Sequence, residues 1–170
     1  GDLVGDPRDH PGVDAEALGQ LDSLQTPGTA ANDLRNKITA SRTTNPAELE
    51  KQLEKNVADP LILGRLCTLY RKDDPAKALD YCRRASEAEP GNIKHAVGFG
   101  AALVQAKQYE SAVSLFRKIL VMVPDNATAH ANLATALFQL KRYVEAISEF
   151  QWLTKAQPKS AGAYLFLGIL

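Results

Sequence analysis

Three prolines set 34 residues apart most constrain what this chain can fold into. Pro90, Pro124 and Pro158 share this step. Sliding the sequence by the same step superposes residues of matching character: Ala78, Ala112 and Ala146 in one set, and Cys82, Phe116 and Phe150 in another. Chance does not produce so many coincidences at one offset. We therefore infer an internal repeat and interpret the chain as an array of similar units.

Each unit is predicted to be a pair of amphipathic helices. Three pairs of residues combine a favoured N-cap with proline at the first helical position: Asn45-Pro46, Asp59-Pro60 and Asp74-Pro75. Sustained polar/apolar alternation and hairpin dipeptides are missing from the sequence, which argues against β-strands. Because a lone helical hairpin cannot bury its apolar face, we expect an all-α chain in which successive pairs stack.

Residues 1–44 differ in composition from the rest of the chain. They contain five glycines, three prolines and no aromatic residue, and seven acidic against four basic side chains. Such a segment buries too little surface to offset its ordering entropy. We therefore expect a flexible or extended N-terminal arm. Two short helical stretches interrupt it, one carrying Leu18, Leu21 and Leu24, the other Ala31, Leu34 and Ile38.

The repeated residues resemble the tetratricopeptide repeat family. That family has a small residue at its eighth position, a large apolar one at the eleventh, Ala at the twentieth, an aromatic at the twenty-fourth and Pro at the thirty-second. The middle repeat supplies Gly100, Leu103, Ala112, Phe116 and Pro124, and the next supplies Ala134, Leu137, Ala146, Phe150 and Pro158. The first repeat is degenerate, with Leu66 at the small position and Cys82 at the aromatic one.

The resemblance implies a right-handed superhelical solenoid of antiparallel helix pairs over residues 59–170, with three repeats and the first helix of a fourth. Residues 45–58 are interpreted as an N-terminal cap or a divergent half-repeat. The sequence ends within the fourth repeat. We therefore expect either a fragment of a longer protein or a last helix that is covered by another chain.

The resemblance also implies a concave groove lined by the first helix of each pair. Carried over residue by residue, the predicted partner-binding residues are Leu63, Tyr70, Arg71, Lys94, Val97, Ala101, Val104, Ala131, Asn132, Thr135, Phe138 and Leu165. This wall is mostly apolar, which favours an apolar peptide segment or helix as the ligand. Tyr70, Val104 and Phe138 are the expected anchors. Ordinary packing between first helices is the alternative interpretation for each residue.

A carboxylate clamp for chaperone tails, which some members of the family have, is not predicted. Only Asn132 fits its pattern. Val97 and Ala101 replace the preceding Lys and Asn, and Gly162 and Phe166 replace the following basic pair. Without those cations a bound carboxylate would lose its hydration without compensation.

The sequence contains no catalytic constellation, so neither an enzyme nor a metal or cofactor site is expected. His95 and His130 lack a third ligand or an orienting carboxylate at useful spacing, and we interpret them as helix-start residues on a solvated edge. The pattern places Cys67 in the groove and Cys82 in the core, so a disulfide between them is not expected.

Charge and hydropathy narrow the range of partners that the chain is expected to bind. The 20 basic and 20 acidic residues cancel, which argues against nucleic acid, and no apolar run approaches the roughly 18 residues that span a bilayer. A leader signal near Gly1 is not apparent, and the compartment is not predicted. We expect a non-catalytic scaffold or adaptor that binds another polypeptide. The alternatives are self-assembly through the arm or the last helix, and the repeat region of a larger multidomain protein.

Overall fold

The computed structural model describes residues 29–159 and 161–169, and within them the chain is α-helical without β-strands. The helices are α1 (Thr29–Arg42), α2 (Pro46–Leu53), α3 (Pro60–Asp73), α4 (Pro75–Ala88), α5 (Ile93–Gln105), α6 (Tyr109–Met122), α7 (Ala127–Gln139), α8 (Tyr143–Ala156) and α9 (Ala161–Ile169). The all-α prediction is confirmed. The predicted stretch at Leu18, Leu21 and Leu24 lies outside the described residues.

Polar N-cap side chains start α2, α3, α4, α5 and α7. Asn45, Asp59 and Asp74 each accept a hydrogen bond from a backbone N–H group in the first turn that follows. Asn92 and Asn126 do the same for α5 and α7. These bonds satisfy N–H groups that have no partner within their own helix. The helix starts predicted at residues 46, 60 and 75 are confirmed.

The helices form consecutive pairs, α3 with α4, α5 with α6 and α7 with α8. Each second helix also contacts the first helix of the next pair, and α8 contacts α9 in the same way. In addition, α3 contacts α5, and α5 contacts α7. The first helices therefore form one layer, which we call the first-helix wall: α3, α5, α7 and α9. The second helices lie behind it.

The buried apolar residues form three clusters. The largest spans α5 to α9 and contains Phe116, Leu133, Leu137 and Phe150 among its members. A second lies at the N-terminal end, where α1, α2, α3 and α4 contribute Ala40, Leu49, Leu53, Ile62, Leu63, Leu66 and Ala85. A third, small cluster between them joins Cys67, Cys82 and Ala102. The core therefore follows the array of helices from one end to the other.

The helical stretch predicted at Ala31, Leu34 and Ile38 is present within α1, and residues 29–42 of the expected arm form one continuous helix. Both α1 and α2 contact α3, so α1 relates to α3 as α3 relates to α5. Ala40 is 1% exposed within the N-terminal cluster, and the Arg65 guanidinium donates a hydrogen bond of 3.2 Å to the carbonyl oxygen of Thr43. The helix is stable because α3 supplies the apolar surface that its own sequence lacks.

Cys67 and Cys82 form a disulfide, so the prediction that they would not pair is wrong. Their Cα atoms lie 4.7 Å apart on the antiparallel helices α3 and α4. Cys82 occupies the position that holds Phe116 and Phe150 in the later repeats. A thiol there is much smaller than an aromatic ring, so the two helices approach until the sulfur atoms bond. Cys82 is fully buried and Cys67 nearly so.

Candidate peptide-binding groove

The centre of the first-helix wall carries a stripe of half-buried side chains. Its members on α5 and α7 are Val97, Ala101, Val104, Ala131, Thr135 and Phe138. Val97, Val104, Ala131 and Phe138 pack with one side against the large core cluster and leave part of their surface accessible. The spacing of three to four residues within each helix keeps the stripe on one face. We call these six residues the α5–α7 stripe.

A cleft of about 310 Å³ opens beside this stripe, where α7, α8 and α9 meet. Small side chains at Ala131, Thr135, Gly162 and Ala163 leave the space unfilled. Phe150 and Leu153 of α8 line it from the second-helix side. Its volume is at the low end of the range for ligand pockets, which suits one or two apolar side chains.

The sequence pointed to some of the residues that line this cleft, among them Ala131 and Thr135, which were predicted as wall residues. Phe150 was assigned to the core, and Gly162 had been noted only as a missing clamp residue. The small residues Gly162 and Ala163 at the start of α9, together with Ala131 and Thr135 on α7, are the signal in the sequence that would have indicated a cleft.

Leu63 does not belong to an accessible wall, which corrects its assignment. It is 1% exposed and lies in the N-terminal cluster with Ala40 of α1. Helix α1 covers this face of α3, because it takes the place of a preceding first helix. The sequence prediction failed here because the helical stretch at Ala31, Leu34 and Ile38 was assigned to the arm and not to the array of packed helices.

Tyr70 faces α2 and α4, which corrects its assignment as a groove anchor. Its hydroxyl donates a hydrogen bond of 2.8 Å to Oε1 of Glu50, and its ring stacks on Tyr81 with centroids 5.8 Å apart. The Tyr81 hydroxyl donates to the same oxygen at 2.9 Å, and Lys77 Nζ lies 4.8 Å from the Tyr70 ring centroid. We call Glu50, Tyr70, Lys77 and Tyr81 the Glu50 cluster.

The Glu50 cluster shifts the titration of its members. The hydrogen bond from Tyr70 lowers the pKa of Glu50 most, and Tyr81 and Lys77 add to this against the opposing effect of burial. The same hydrogen bond is the main reason that the pKa of Tyr70 is raised. Burial, followed by the bond to Glu50, raises the pKa of Tyr81 to about 12. These shifts favour a charged carboxylate between two neutral hydroxyls.

Two cations lie on the wall near the α5–α7 stripe. The Arg71 guanidinium reaches across from α3, where its Nη2 lies 3.9 Å from Cys67 Sγ and 3.8 Å from the position that a Cβ on Gly98 would take. Its Nε is buried and has no hydrogen-bond partner. Lys94 is exposed on α5, one helical turn before Gly98. Within residues 29–159 and 161–169, neither cation has a carboxylate partner.

Acidic side chains are almost absent from the wall. Asp73 is the sole acidic residue in the sequences of α3, α5, α7 and α9, and it stands at the C-terminal end of α3. The second helices α4, α6 and α8 carry acidic residues in each case, for example Glu110 and Glu149. The wall is therefore basic as well as apolar.

The remaining predicted wall residues have mixed outcomes. Asn132 is half-buried, and its amide donates a hydrogen bond of 2.8 Å to the carbonyl oxygen of Thr128, one turn earlier. Phe138 packs edge-on against Tyr143, with ring centroids 5.7 Å apart, at the turn that leads into α8. The side chain of Leu165 lies outside those that the structure describes.

Both histidines are packed into the fold, so their assignment to a solvated edge is wrong. His130 is 8% exposed and stacks on Trp152 with centroids 3.7 Å apart. Its Nδ1 lies 2.5 Å from Glu149 Oε2, and its Nε2 lies 2.8 Å from the carbonyl oxygen of Pro124. Glu149 is the orienting carboxylate that the sequence did not reveal, because it lies on the second helix.

His95 packs closely against α3. A Cβ atom on Gly64 would lie 2.7 Å from Cε1 of the His95 ring, so Gly64 leaves the space that the ring occupies. Nε2 of His95 lies 3.2 Å from Oε2 of Glu89, which is in the turn that precedes α5. Both histidines therefore support helix packing. In the part of the chain that the structure describes, no three His, Cys, Asp or Glu side chains are placed to hold a metal ion.

The arrangement of helix pairs agrees with known proteins. A sequence model of the tetratricopeptide repeat matches residues 103–167. The MamA RS-1 ArsTM double mutant superposes with a TM-score of 0.70 at 21% identity, over 85% of this chain and 84% of that one. The TPR domain of Arabidopsis OM64 gives a TM-score of 0.60 at 19% identity, over 63% and 89% of the two chains. No curated protein matches the chain significantly in sequence.

A further solved structure, the first TPR domain of the human RPAP3 protein, superposes with a TM-score of 0.60 at 19% identity, over 65% of this chain and 87% of that one. The fold and the sequence match together define an all-α solenoid of helix pairs. Residues 103–167 match the tetratricopeptide repeat in sequence, and the described helices have the fold of tetratricopeptide-repeat proteins. Proteins of this class generally act as scaffolds that bind other polypeptides. None of the described helices is both long and apolar enough to cross a membrane.

Proposed function

We propose that this chain is a non-catalytic scaffold whose first-helix wall forms a concave groove for an apolar polypeptide segment. The observation that carries the proposal is the α5–α7 stripe together with the cleft beside it. The stripe offers half-buried apolar surface along two neighbouring helices, and the cleft has room for one or two apolar side chains. A short helix or extended peptide with apolar residues on one side matches both features.

The proposal assigns different roles to the residues first predicted for the groove. Val97, Val104 and Ala131 supply apolar contact area, and Thr135 with Ala131 borders the cleft. Arg71 and Lys94 add positive charge at the edge of the stripe. Leu63 and Tyr70 have no direct role in binding, because their contacts are within the chain. Phe138 adds contact area at the C-terminal end of α7.

Selection from a display library of random peptides, followed by titration of the enriched peptides, tests this function. We expect enriched peptides to carry apolar residues at helical or alternating spacing. Ala131→Arg and Thr135→Arg place a long charged chain in the cleft and should each weaken binding at least tenfold, or about 1.4 kcal/mol. Circular dichroism should confirm that both variants keep their helical content.

Val144→Arg is the matched control, because Val144 is 81% exposed on the second helix α8. It adds the same side chain to the other layer of the fold and should leave the affinity unchanged. Peptides that bind both cleft variants as tightly as the parent chain would contradict the proposal, since their site would then lie elsewhere on the molecule.

A further inference from the structure

The charges of this chain are separated along its sequence. Residues 1–28 contain one of the 20 basic residues and six of the 20 acidic residues, so that segment carries a net charge of −5. The remainder of the chain carries +5. The acidic segment lies next in sequence to the N-terminus of α1, which contacts the first helix of the wall. Opposite charges are thus joined covalently within one molecule.

The positive charge that faces outward on the wall is not neutralised by neighbours. The Arg71 guanidinium and the Lys94 ammonium have no carboxylate partner within the described residues, as shown above. On or beside the second helices, Arg83, Arg84, Arg117 and Arg142 each form ion pairs, whereas Lys118 has none within the described residues. A wall with unpaired cations beside apolar surface fits an acidic segment that also carries apolar side chains.

Residues 1–28 have that combination. Leu18, Leu21 and Leu24 recur every three residues, which places them on one side of a helix. Asp14, Glu16 and Asp22 are interspersed with them. A leucine side chain suits the cleft between α7 and α9, and the carboxylates suit Arg71 and Lys94. The segment therefore complements both features of the wall.

We propose that residues 1–28 bind in the groove of their own chain. The inference rests on the proposed function of the groove and names its first occupant. The leucines lie against the α5–α7 stripe and the cleft, and the acidic residues lie toward Arg71 and Lys94. A foreign polypeptide must then displace this segment, which makes it an autoinhibitory ligand.

Chain length permits this arrangement. A segment of 28 residues reaches up to roughly 90 Å when extended. Packed helices lie about 10 Å apart, so the span from α3 to α9 is on the order of 30 Å. A short tether also gives an effective concentration in the millimolar range, so that even a weak contact is populated within one chain. Binding to its own groove is therefore favoured over binding to a second copy at micromolar concentration.

Zero-length carbodiimide cross-linking of the full chain tests the contact directly. We expect an amide bond between Lys94 and a carboxylate of Asp14, Glu16 or Asp22, identified by mass spectrometry. An equimolar mixture of ¹⁵N-labelled and unlabelled chain distinguishes links within one chain from links between two. Lys118, which is exposed on the second helix α6, is the control lysine. It should give at least tenfold less product with residues 1–28.

Three outcomes overturn the inference. Mixed-isotope links would assign the segment to a second copy. Equal yields at Lys94 and Lys118 would mean that the acidic residues have no preferred site. Absence of any link from Lys94 to residues 1–28, while carboxylates elsewhere in the chain react, would mean that the segment lies away from the wall.

Peptide affinity separates this inference from the function of the groove. Display selection is performed on the parent chain and on a variant with Leu18→Ser, Leu21→Ser and Leu24→Ser. The tightest-binding peptide is the probe, and its affinity is measured for both chains. Releasing the segment should raise the affinity at least tenfold. If the parent chain and the triple leucine variant bind the peptide with equal affinity, and Ala131→Arg abolishes binding in both, self-binding would be refuted and the groove supported. Peptide binding that is insensitive to Ala131→Arg in both chains would refute the groove itself.

Discussion

Gly100 and Phe116 fit together so closely that no larger residue can replace the glycine without movement. A Cβ atom on Gly100 would lie 2.5 Å from Cζ of Phe116 and 2.7 Å from Cε1. Gly100 is buried in α5, and the Phe116 ring of α6 is fully buried against it. The small and aromatic positions of the repeat thus set the distance between the two helices of the pair.

Gly100→Ala should destabilise the chain. The methyl group forces the Phe116 ring or the helix backbone to shift, which in well-packed cores costs roughly 1–3 kcal/mol. Urea unfolding followed by circular dichroism measures the difference. Gly168→Ala, at the equivalent position of α9, is the matched control because no described atom lies within 4 Å of its added methyl. It should be neutral or stabilising by up to about 1 kcal/mol, and equal losses in the two variants would contradict our account.

Lys107→Gly and Lys141→Gly should each stabilise the chain. Lys107 and Lys141 have φ values of 59° and 61°, in the left-handed region that disfavours residues with a Cβ atom. Both follow the end of a first helix, where Gln108 and Arg142 donate backbone hydrogen bonds back to Leu103 and Leu137. Glycine retains those bonds and removes the steric cost, so we expect a gain of up to about 1 kcal/mol in urea unfolding.

Lys118→Gly tests that reasoning from the other side. Lys118 lies in the interior of α6, where glycine costs roughly 1 kcal/mol relative to a good helix former. Substitution by glycine should therefore stabilise the chain at Lys107 and Lys141 and destabilise it at Lys118. If Lys107→Gly destabilised the chain as much as Lys118→Gly, the explanation that the positive φ of Lys107 is strained would be contradicted.

The Glu50 cluster should make stability depend on pH at both extremes. The pKa of Glu50 is lowered in the folded chain, so its contribution is present above its ordinary pKa of 4.5 and is lost as the pH falls through the folded value. The pKa of Tyr81 is raised to about 12, so its contribution is present below 10 and is lost between 10 and about 12. Unfolding free energy measured across this range should fall at both ends.

Glu50→Gln separates the two tyrosines. The bond to Glu50 is the main cause of the raised pKa of Tyr70, so the pKa of Tyr70 should return toward 10 in this variant. Burial is the main cause for Tyr81, so its pKa should stay well above 10. Tyrosinate absorbance, with Tyr81→Phe to assign the later step, measures both. Equal shifts for the two residues would mean that burial has a smaller role than we infer.

Reduction of the Cys67–Cys82 disulfide should weaken the first repeat. Closing a loop of about 15 residues contributes about 3 kcal/mol on the chain-entropy model. Without reductant, neither the folded nor the unfolded chain should react with a thiol-alkylating reagent, because both of its cysteines are in the disulfide. Unfolding in urea with and without a phosphine reductant measures the contribution. A double variant, Cys67→Ala with Cys82→Ala, should be insensitive to the reductant.

The repeats from α5 to α8 were predictable from sequence because their small, aromatic and proline positions are intact. Gly100 and Phe116 alone fix the geometry of one pair. The N-terminal end was harder, because α1 carries no aromatic residue and only a weak apolar stripe. Its helix is stabilised by contact with α3, such as the burial of Ala40, and this contact joins residues that are distant in sequence. Leu63 was placed wrongly for the same reason.

The candidate site was predictable in part. The stripe through Val97, Val104 and Ala131 follows from repeat positions. The fate of Tyr70 depends on Glu50 in a helix that matches the repeat poorly, so sequence could not show that its hydroxyl is already bound. The disulfide was missed because family positions describe helices separated by an aromatic ring, and Cys82 lets them approach more closely. The cleft needs three helices at once, which no linear pattern displays.

The division of the core into three clusters has a consequence for how the molecule opens. Among the described helices the extensive contacts are between near neighbours, so the two ends need not unfold together. We expect amide hydrogens of α1 and α2 to exchange with solvent in a smaller opening than those of α6 and α7, which lie within the largest cluster. The N-terminal helices can then fray while the cleft between α7 and α9 keeps its shape.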